Sequence, residues 1–245
     1  MHQSSEAVEA IILAGGFGTR LQGALPDRPK PLAEIGGRPF LSRLLDQLAK
    51  AGIRRTILCT GYKADQIEKT LGDCFGGQMA LIASREEEPL GTGGALRLAE
   101  SRMEQKLALI MNGDSYVATD LRPFISWHLQ AHHKGSLLLV KTDDVARFGS
   151  VSIDDDGKIT AFEEKSDAHQ GGWINGGIYL LSRDLLHEIP SDRPVSLENK
   201  IFPKWAAAGL LYGYRAEENF IDIGTPESLA SASAFFRSLR QEPNE

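Results

Sequence analysis

Short apolar runs alternate with helical spacings along the first half of the chain. Residues 8–14 (VEAIILA) read as a buried strand that ends in glycines. Phe40, Leu41, Leu44, Leu45 and Leu48 then recur at helical spacing, with Gly52 as a stop signal. Residues 56–60, 79–84 and 107–111 read as further strands, and residues 63–71 and 92–102 as helices between them. Strands alternating with helices imply β-α-β units and a mainly parallel sheet with right-handed crossovers.

The second half has another rhythm. Residues 136–141, 149–153 and 173–181 read as strands, and Asp156-Gly157 as a hairpin turn into a strand at 158–163. Helices are predicted at 183–188, 197–208 and 226–239, the last with Pro226 in its first turn. No Ser/Gly/Pro-rich linker divides the halves and no internal repeat is found. The pattern predicts a single α/β domain over 1–245, whose hairpin-containing second half adds a lid or substrate-binding lobe.

Composition narrows the function classes. With 42% hydrophobic residues in 245, the chain can bury a packed core, which excludes a disordered protein. A formal net charge of −6 argues against coating DNA or an anionic membrane, because neutralising phosphates takes surplus Lys and Arg. Cys59, in an apolar run, and Cys74, in an expected loop, form neither a disulfide framework nor a zinc spacing. The opening MHQSSEAVEA has no basic n-region, so no signal peptide is expected. No apolar stretch approaches the roughly 18 residues of a membrane helix. A cytoplasmic protein without nucleic-acid or membrane partners is the expectation.

Candidate chemistry begins where the first strand ends, at Gly15-Gly16-Phe17-Gly18-Thr19-Arg20-Leu21. Glycines there let backbone N–H groups close on a phosphate. The loop is not a dinucleotide fingerprint, which needs a glycine where Leu21 stands, nor a P-loop, since no Lys-Ser or Lys-Thr follows. Alone, it is as readily a tight strand-to-helix turn as a binding loop. Charge then concentrates: Arg20, Arg28, Lys30 and Arg38 face only Asp27 and Glu34 in the segment 14–38. Lys30 stands between Pro29 and Pro31, whose stiff backbone suits a point charge aimed at phosphate. A solvated basic patch is the plain alternative.

Asp114 follows the apolar strand at 107–111, and Asp222 ends the run Phe220-Ile221. Carboxyl ends of parallel strands are where open α/β sheets bind ligands, and two carboxylates suit one Mg²⁺ that also takes substrate phosphates. A turn or cap aspartate is the alternative for each. His128 and His132, four apart on a predicted helix with His133 adjacent, lack the Glu of H-E-x-x-H and read as solvent-facing. No G-x-S-x-G elbow offers a hydrolase nucleophile. Trp127, Trp173 and Trp205 are dispersed and read as core or pocket wall.

The strings AGGFGTRL and RPKPLAEIGGRPF, followed in order by EEEPLGTGGAL, NGD, FEEK, INGGIY, SLENKIF and FIDIGTPE, span nearly the whole chain. Together they resemble the sugar-1-phosphate nucleotidyltransferase family, and within it the D-glycero-α-D-manno-heptose and mannose 1-phosphate guanylyltransferases. The resemblance implies a Rossmann-like three-layer nucleotidyltransferase fold with a mixed, mostly parallel sheet and a smaller hairpin-containing sugar-binding lobe. It implies a nucleotide-binding half over 8–114, a sugar-phosphate-binding half over 115–225, and a C-terminal helix and tail over 226–245.

The implied reaction transfers a nucleoside monophosphate from GTP to manno-heptose or mannose 1-phosphate and releases pyrophosphate. The alternatives are a uridylyl- or thymidylyltransferase acting on another hexose 1-phosphate, and a non-catalytic nucleotide-sugar-binding regulatory protein. By the same resemblance Arg20, Lys30 and Asp114 are catalytic, and Asp114 and Asp222 hold Mg²⁺. Leu13, Ala14, Gly15, Gly16, Gly18, Thr19, Glu88, Pro89, Gly91, Thr92 and Gly113 bind the nucleotide. Gly149, Glu164, Lys165, Asn175 and Gly176 bind the sugar phosphate. No general base is required, because a phosphate monoester with a second pKa near 6 is mostly dianionic at pH 7. The carboxylates of Glu86-Glu87-Glu88 can accept the N–H and NH₂ of guanine together, or are simply three surface glutamates. The chain ends soon after the helix from Pro226, so no β-helical extension is expected, and a homo-oligomer is left open.

Overall fold

A computed structural model describes residues 7–239, apart from 22, 24, 144, 146, 147, 149 and 164–170. Gly149, Glu164 and Lys165 therefore lie outside the described residues. The frame is an eight-stranded sheet. In chain order its strands are β1 (Val8–Leu13), β2 (Arg55–Thr60), β3 (Cys74–Phe75), β4 (Met79–Arg85), β5 (Leu107–Asn112), β6 (Gly135–Thr142), β7 (Gly172–Ser182) and β8 (Leu211–Ala216). Across the sheet they run β8-β6-β7-β5-β1-β2-β4-β3. β5, β1, β2 and β4 are parallel. β7 is antiparallel to both β5 and β6, and β8 runs parallel to β6. The mixed, mostly parallel sheet implied by the motifs is the one the chain forms.

The central strands are continuous apolar runs because both of their faces are covered. On one face of β1, Ala10 and Ile12 join a core with Phe40, Phe124 and Phe236. These aromatics come from α1 (Phe40–Lys50), α4 (Leu121–Ala131) and α7 (Pro226–Ser238). Ile11 points the other way, into a core with Ala95, Leu185, Phe202 and Trp205. Those side chains come from α3 (Gly91–Glu100), α5 (Arg183–His187) and α6 (Phe202–Ala207), which completes three layers. α2 (Ala64–Leu71) adds Ile67 to the first core. In α1, Phe40, Leu41, Leu44, Leu45 and Leu48 are all buried, as their i, i+3, i+4 spacing requires. At about 1.5–3 kcal/mol for each large apolar side chain buried, that stripe alone binds α1 firmly to the sheet.

The predicted hairpin pairs Ser150–Ile153 with Ile159–Glu163 and packs on α6 by Phe162 stacking against Phe202. Thr225 caps α7 in a capping box with Ser228, and Pro226 occupies its first turn. Among the described residues no helix is long and apolar enough to cross a membrane.

Four expectations are corrected. The segment 197–208 is not one helix: Leu197–Ile201 forms a π-turn, and only Phe202–Ala207 is α-helical. Pro203 has no N–H for the carbonyl four residues back and crowds it, so the turn before it widens. Cys74 lies in the edge strand β3 rather than a loop. β8 was not predicted, nor was the two-stranded pair of Ser115–Val117 with Phe220–Asp222; the paired strands span three residues each, and the apolar run of β8 is interrupted by Gly213 and Arg215. His128 is buried instead of solvent-facing, with Nδ1 2.8 Å from the Ser136 hydroxyl, and burial pushes its pKa down to about 4. His132 lies past the end of α4 in the left-handed conformation, so the expected helical pair does not form.

Candidate functional site

The parallel strands β1, β2, β4 and β5 deliver their carboxyl ends to one edge, where the following loops enclose a cleft of about 670 Å³. Leu13, Ala14, Gly15, Gly16 and Gly18 line it from the β1 loop, and Glu88, Pro89, Gly91 and Thr92 from the β4–α3 connection. Gly113 and Asp114 line it from the end of β5, and Lys30 from a 3₁₀ turn, Lys30–Leu32. Two of the glycines are required by close approach. A Cβ at Gly15 would lie 2.5 Å from Glu86 Oε1 and 3.2 Å from the Gly61 amide nitrogen. A Cβ at Gly113 would lie 2.5 Å from the Leu13 carbonyl oxygen, which accepts the Gly113 N–H at 2.9 Å.

Two charged side chains expected from distant parts of the sequence, Lys30 and Asp114, line the cleft together, whereas Asp222 stands beside it, outside the lining. The Lys30 ammonium donates to Asp114 Oδ2 at 2.7 Å, and its stem lies beside Gly18. Asp222 stands opposite Ser115 in the short ladder, and the Ile223 N–H donates to the Asp114 carbonyl at 2.9 Å. Gly224 then donates its N–H to Asp222 Oδ1 at 2.9 Å and sits against Lys30 Nζ. The strand ends carrying Asp114 and Asp222 are therefore tied to each other, with the Lys30 head beside both turns.

The rest of the basic segment behaves differently. Arg28 pairs with Glu34, and Arg38 with Asp46 at 2.8 Å, all at the exposed surface. The plain reading of a solvated patch holds for these two. Arg20 is exposed in the 3₁₀ turn Thr19–Leu21, and neither it nor Thr19 lines the cleft. Glu86 is half-buried in the cleft wall and accepts the Leu90 N–H at 2.8 Å through Oε2. Burial holds its carboxyl above the usual range, partly offset by that backbone bond.

The nucleotidyl transferase family profile matches residues 9–238. The chain belongs to the nucleotidyl transferase family. It is 35% identical over 233 residues to the mannose-1-phosphate guanylyltransferase of Mycobacterium tuberculosis, covering 94% of this chain and 65% of that protein. It is 36% identical over 225 residues to the D-glycero-alpha-D-manno-heptose 1-phosphate guanylyltransferase of Aneurinibacillus thermoaerophilus, covering 92% of this chain and 96% of that one. The chain thus spans about two thirds of the first relative and nearly all of the second. The crystal structure of HddC from Yersinia pseudotuberculosis complexed with GMP-PN matches with a TM-score of 0.82 at 37% identity, covering 93% of this chain and 99% of that chain.

In this nucleotidyl transferase, Asn175 and Gly176 stand beside the cleft rather than in its lining. They occupy an irregularity in β7, where the register to β6 shifts between Asn175 and Ile178. Asn175 Nδ2 donates to the Tyr179 hydroxyl at 3.0 Å, and that hydroxyl lies 3.4 Å from Asn112 Oδ1 in the cleft floor. Tyr179 is fully buried, which pushes its phenol pKa well up and keeps it a neutral link.

Sequence reasoning missed Asn112, Phe17, Tyr62 and Glu198, all of which line the cleft. Phe17 and Tyr62 form a tilted ring pair 5.5 Å apart at its mouth. Glu198 lies within the SLENKIF string, but nothing local points it toward Thr92. Their hydrogen bond, Thr92 Oγ1 to Glu198 Oε2 at 2.8 Å, spans 106 positions.

Proposed function

We propose that this nucleotidyl transferase is a sugar-1-phosphate guanylyltransferase. It transfers GMP from GTP to manno-heptose or mannose 1-phosphate, forming a GDP-sugar and releasing pyrophosphate. The observation that carries this reading is the Lys30–Asp114 pair at the carboxyl edge of the sheet, in a cleft between a glycine loop and the 86–92 loop, with the Asp222 turn tied to Asp114 beside it. The names of the relatives and the nucleotide in the HddC structure support the base and sugar assigned.

The sugar phosphate already carries its nucleophilic oxygen as an anion at pH 7, so no side chain needs to remove a proton. Its oxygen forms a new bond to the α-phosphorus while the bond to the pyrophosphate oxygen breaks. The protein's work is positioning and charge compensation. The glycine loop presents backbone N–H groups to the phosphates, and Lys30 supplies a cation on a short, proline-bounded tether. Arg20, exposed just past that loop, is assigned as a second cation for the phosphates. Gly149, Glu164, Lys165, Asn175 and Gly176 are assigned to the sugar phosphate, and Thr19 to the nucleotide. The halves 8–114 and 115–225 divide these tasks, and 226–245 is assigned as a C-terminal helix and tail.

Asp114 and Asp222 fit a magnesium ion by their donor chemistry, since both are hard carboxylate oxygens on strand ends tied to each other. Among the described residues no group of three or more His, Cys, Asp or Glu side chains gathers as a metal cluster. Magnesium bound there supplies charge neutralisation to the reacting phosphates. For the base, Glu86 and its neighbours Glu87 and Glu88 offer carboxylates to the paired N–H donors of guanine.

The test is pyrophosphate release with each NTP against a panel of sugar 1-phosphates in the presence of Mg²⁺. Turnover with GTP and a manno-configured sugar 1-phosphate is expected. No turnover with any pair refutes the enzyme; turnover with UTP or dTTP but not GTP refutes the base.

A further inference from the structure

The π-turn Leu197–Ile201 is stitched onto the start of α3 more tightly than a connecting segment needs. The Val195 N–H donates to the Leu90 carbonyl and the Gly93 N–H to the Val195 carbonyl, each at 2.8 Å. Thr92 Oγ1 accepts the Leu197 N–H at 2.9 Å and donates its own proton to Glu198 Oε2 at 2.8 Å. The Ser196 hydroxyl donates to the same Oε2 at 2.8 Å. Both hydroxyl bonds therefore converge on one oxygen of Glu198, and Oε1 has no hydrogen-bond partner among the described residues. Glu198 itself lines the cleft, next to Gly91 and Thr92. A carboxylate locked by two donors on one oxygen, with its second oxygen at a ligand cleft, is a preorganised acceptor for a hydroxyl.

We propose that Glu198 is a specificity-determining residue that accepts a hydrogen bond from a ribose hydroxyl of the bound nucleotide. The 86–92 loop beside it is the part of the cleft assigned to the nucleoside, which makes ribose the hydroxyl-bearing group nearest to Glu198. This rests on the reading of the cleft as a nucleoside triphosphate site.

The first measurement uses the wild-type protein with Mg²⁺: KM for GTP against 2′-deoxy-GTP and 3′-deoxy-GTP. At least one analogue is expected to show a KM about ten- to a hundredfold higher, the range of a hydrogen bond to a charged group. The second uses Glu198→Gln. Its amide oxygen still accepts from Thr92 and Ser196, while its NH₂ cannot accept from a hydroxyl. The variant is expected to raise KM for GTP by about tenfold or more with kcat nearly unchanged, and to leave KM for the sensitive deoxy analogue unchanged. A merely structural clamp moves all three nucleotides together, and that result overturns the proposal. So does a wild type that uses the ribo- and both deoxyribonucleotides within about threefold, whatever the variant does. A Glu198→Gln defect that vanishes with a 2-deoxy sugar 1-phosphate instead also overturns it. Absence of turnover with every NTP would overturn the guanylyltransferase reading itself, a separate outcome.

Discussion

Replacing Lys30 with Met keeps the aliphatic stem beside Gly18 and removes only the ammonium. The structure separates its two consequences. As a stability element, the Lys30–Asp114 pair is modest: the Lys30 side chain is 13% exposed, but Asp114 is 39% exposed and can be solvated. The cost of losing such a pair is close to the surface value, about 0–1 kcal/mol, rather than the 3–5 kcal/mol of a buried pair broken on one side. For a chain of this size that is a shift of at most about 4 °C in Tm. In its proposed catalytic role the same ammonium compensates developing phosphate charge inside the cleft. Removal of one preorganised electrostatic contact of this kind typically costs about 10²–10³-fold in kcat, or about 2.7–4 kcal/mol. Lys30→Met is therefore expected to melt within about 4 °C of wild type while its kcat for pyrophosphate release from GTP falls by at least about 100-fold. Thermal unfolding by circular dichroism and a coupled pyrophosphate assay measure the two numbers. A variant with activity within about threefold of wild type would refute the reasoning. So would a loss of activity that merely tracks a large drop in Tm.

Asp114→Asn and Asp222→Asn should each keep the fold and lose about 10²–10³-fold in rate; a Mg²⁺ titration that gives wild-type activity in either would overturn the metal assignment. Gly113→Ala puts a Cβ 2.5 Å from the Leu13 carbonyl oxygen, a backbone atom that cannot rotate away. A loss of about 1–3 kcal/mol is expected by urea unfolding, and no loss would show that the β1 and β5 ends are looser than drawn. His128 is kept neutral by burial, with its pKa pushed down from 6.5 to about 4. Above pH 6.5 neither the folded nor the unfolded form carries the extra proton. Between pH 6.5 and about 4 only the unfolded chain takes it, so stability falls with falling pH, by about 3 kcal/mol in all. Comparing urea unfolding at pH 7 and 4.5 for wild type and His128→Gln isolates this; equal losses in both would refute it.

The fold of the central sheet was legible because its signals are local. β1, β2 and β5 are buried on both faces and β4 mainly on one, so each reads as a short apolar run. Each helix between them carries its own stripe, as Phe40 to Leu48 does in α1. The glycines were legible for a related reason. Gly15 and Gly113 follow strands, where only a residue without a Cβ lets two chain segments meet. The ordered motifs carried the family, and the nucleotidyl transferase match over residues 9–238 agrees with them.

Tertiary structure decided what those residues do to one another. Arg28, Lys30 and Arg38 look alike as a basic cluster. Only the folded chain shows two of them spent on Glu34 and Asp46 at the surface and one aimed at Asp114. Asp114 and Asp222 are 108 positions apart in the sequence, and their link depends on a ladder of three residue pairs too short to leave a periodic signature. The π-turn that brings Glu198 to Thr92 arises from Pro203 downstream and a partner 106 positions upstream. Side-chain periodicity records only whether a residue's own element has a buried face. Which elements then adjoin is set by packing the whole chain, and at this cleft that packing determines the chemistry.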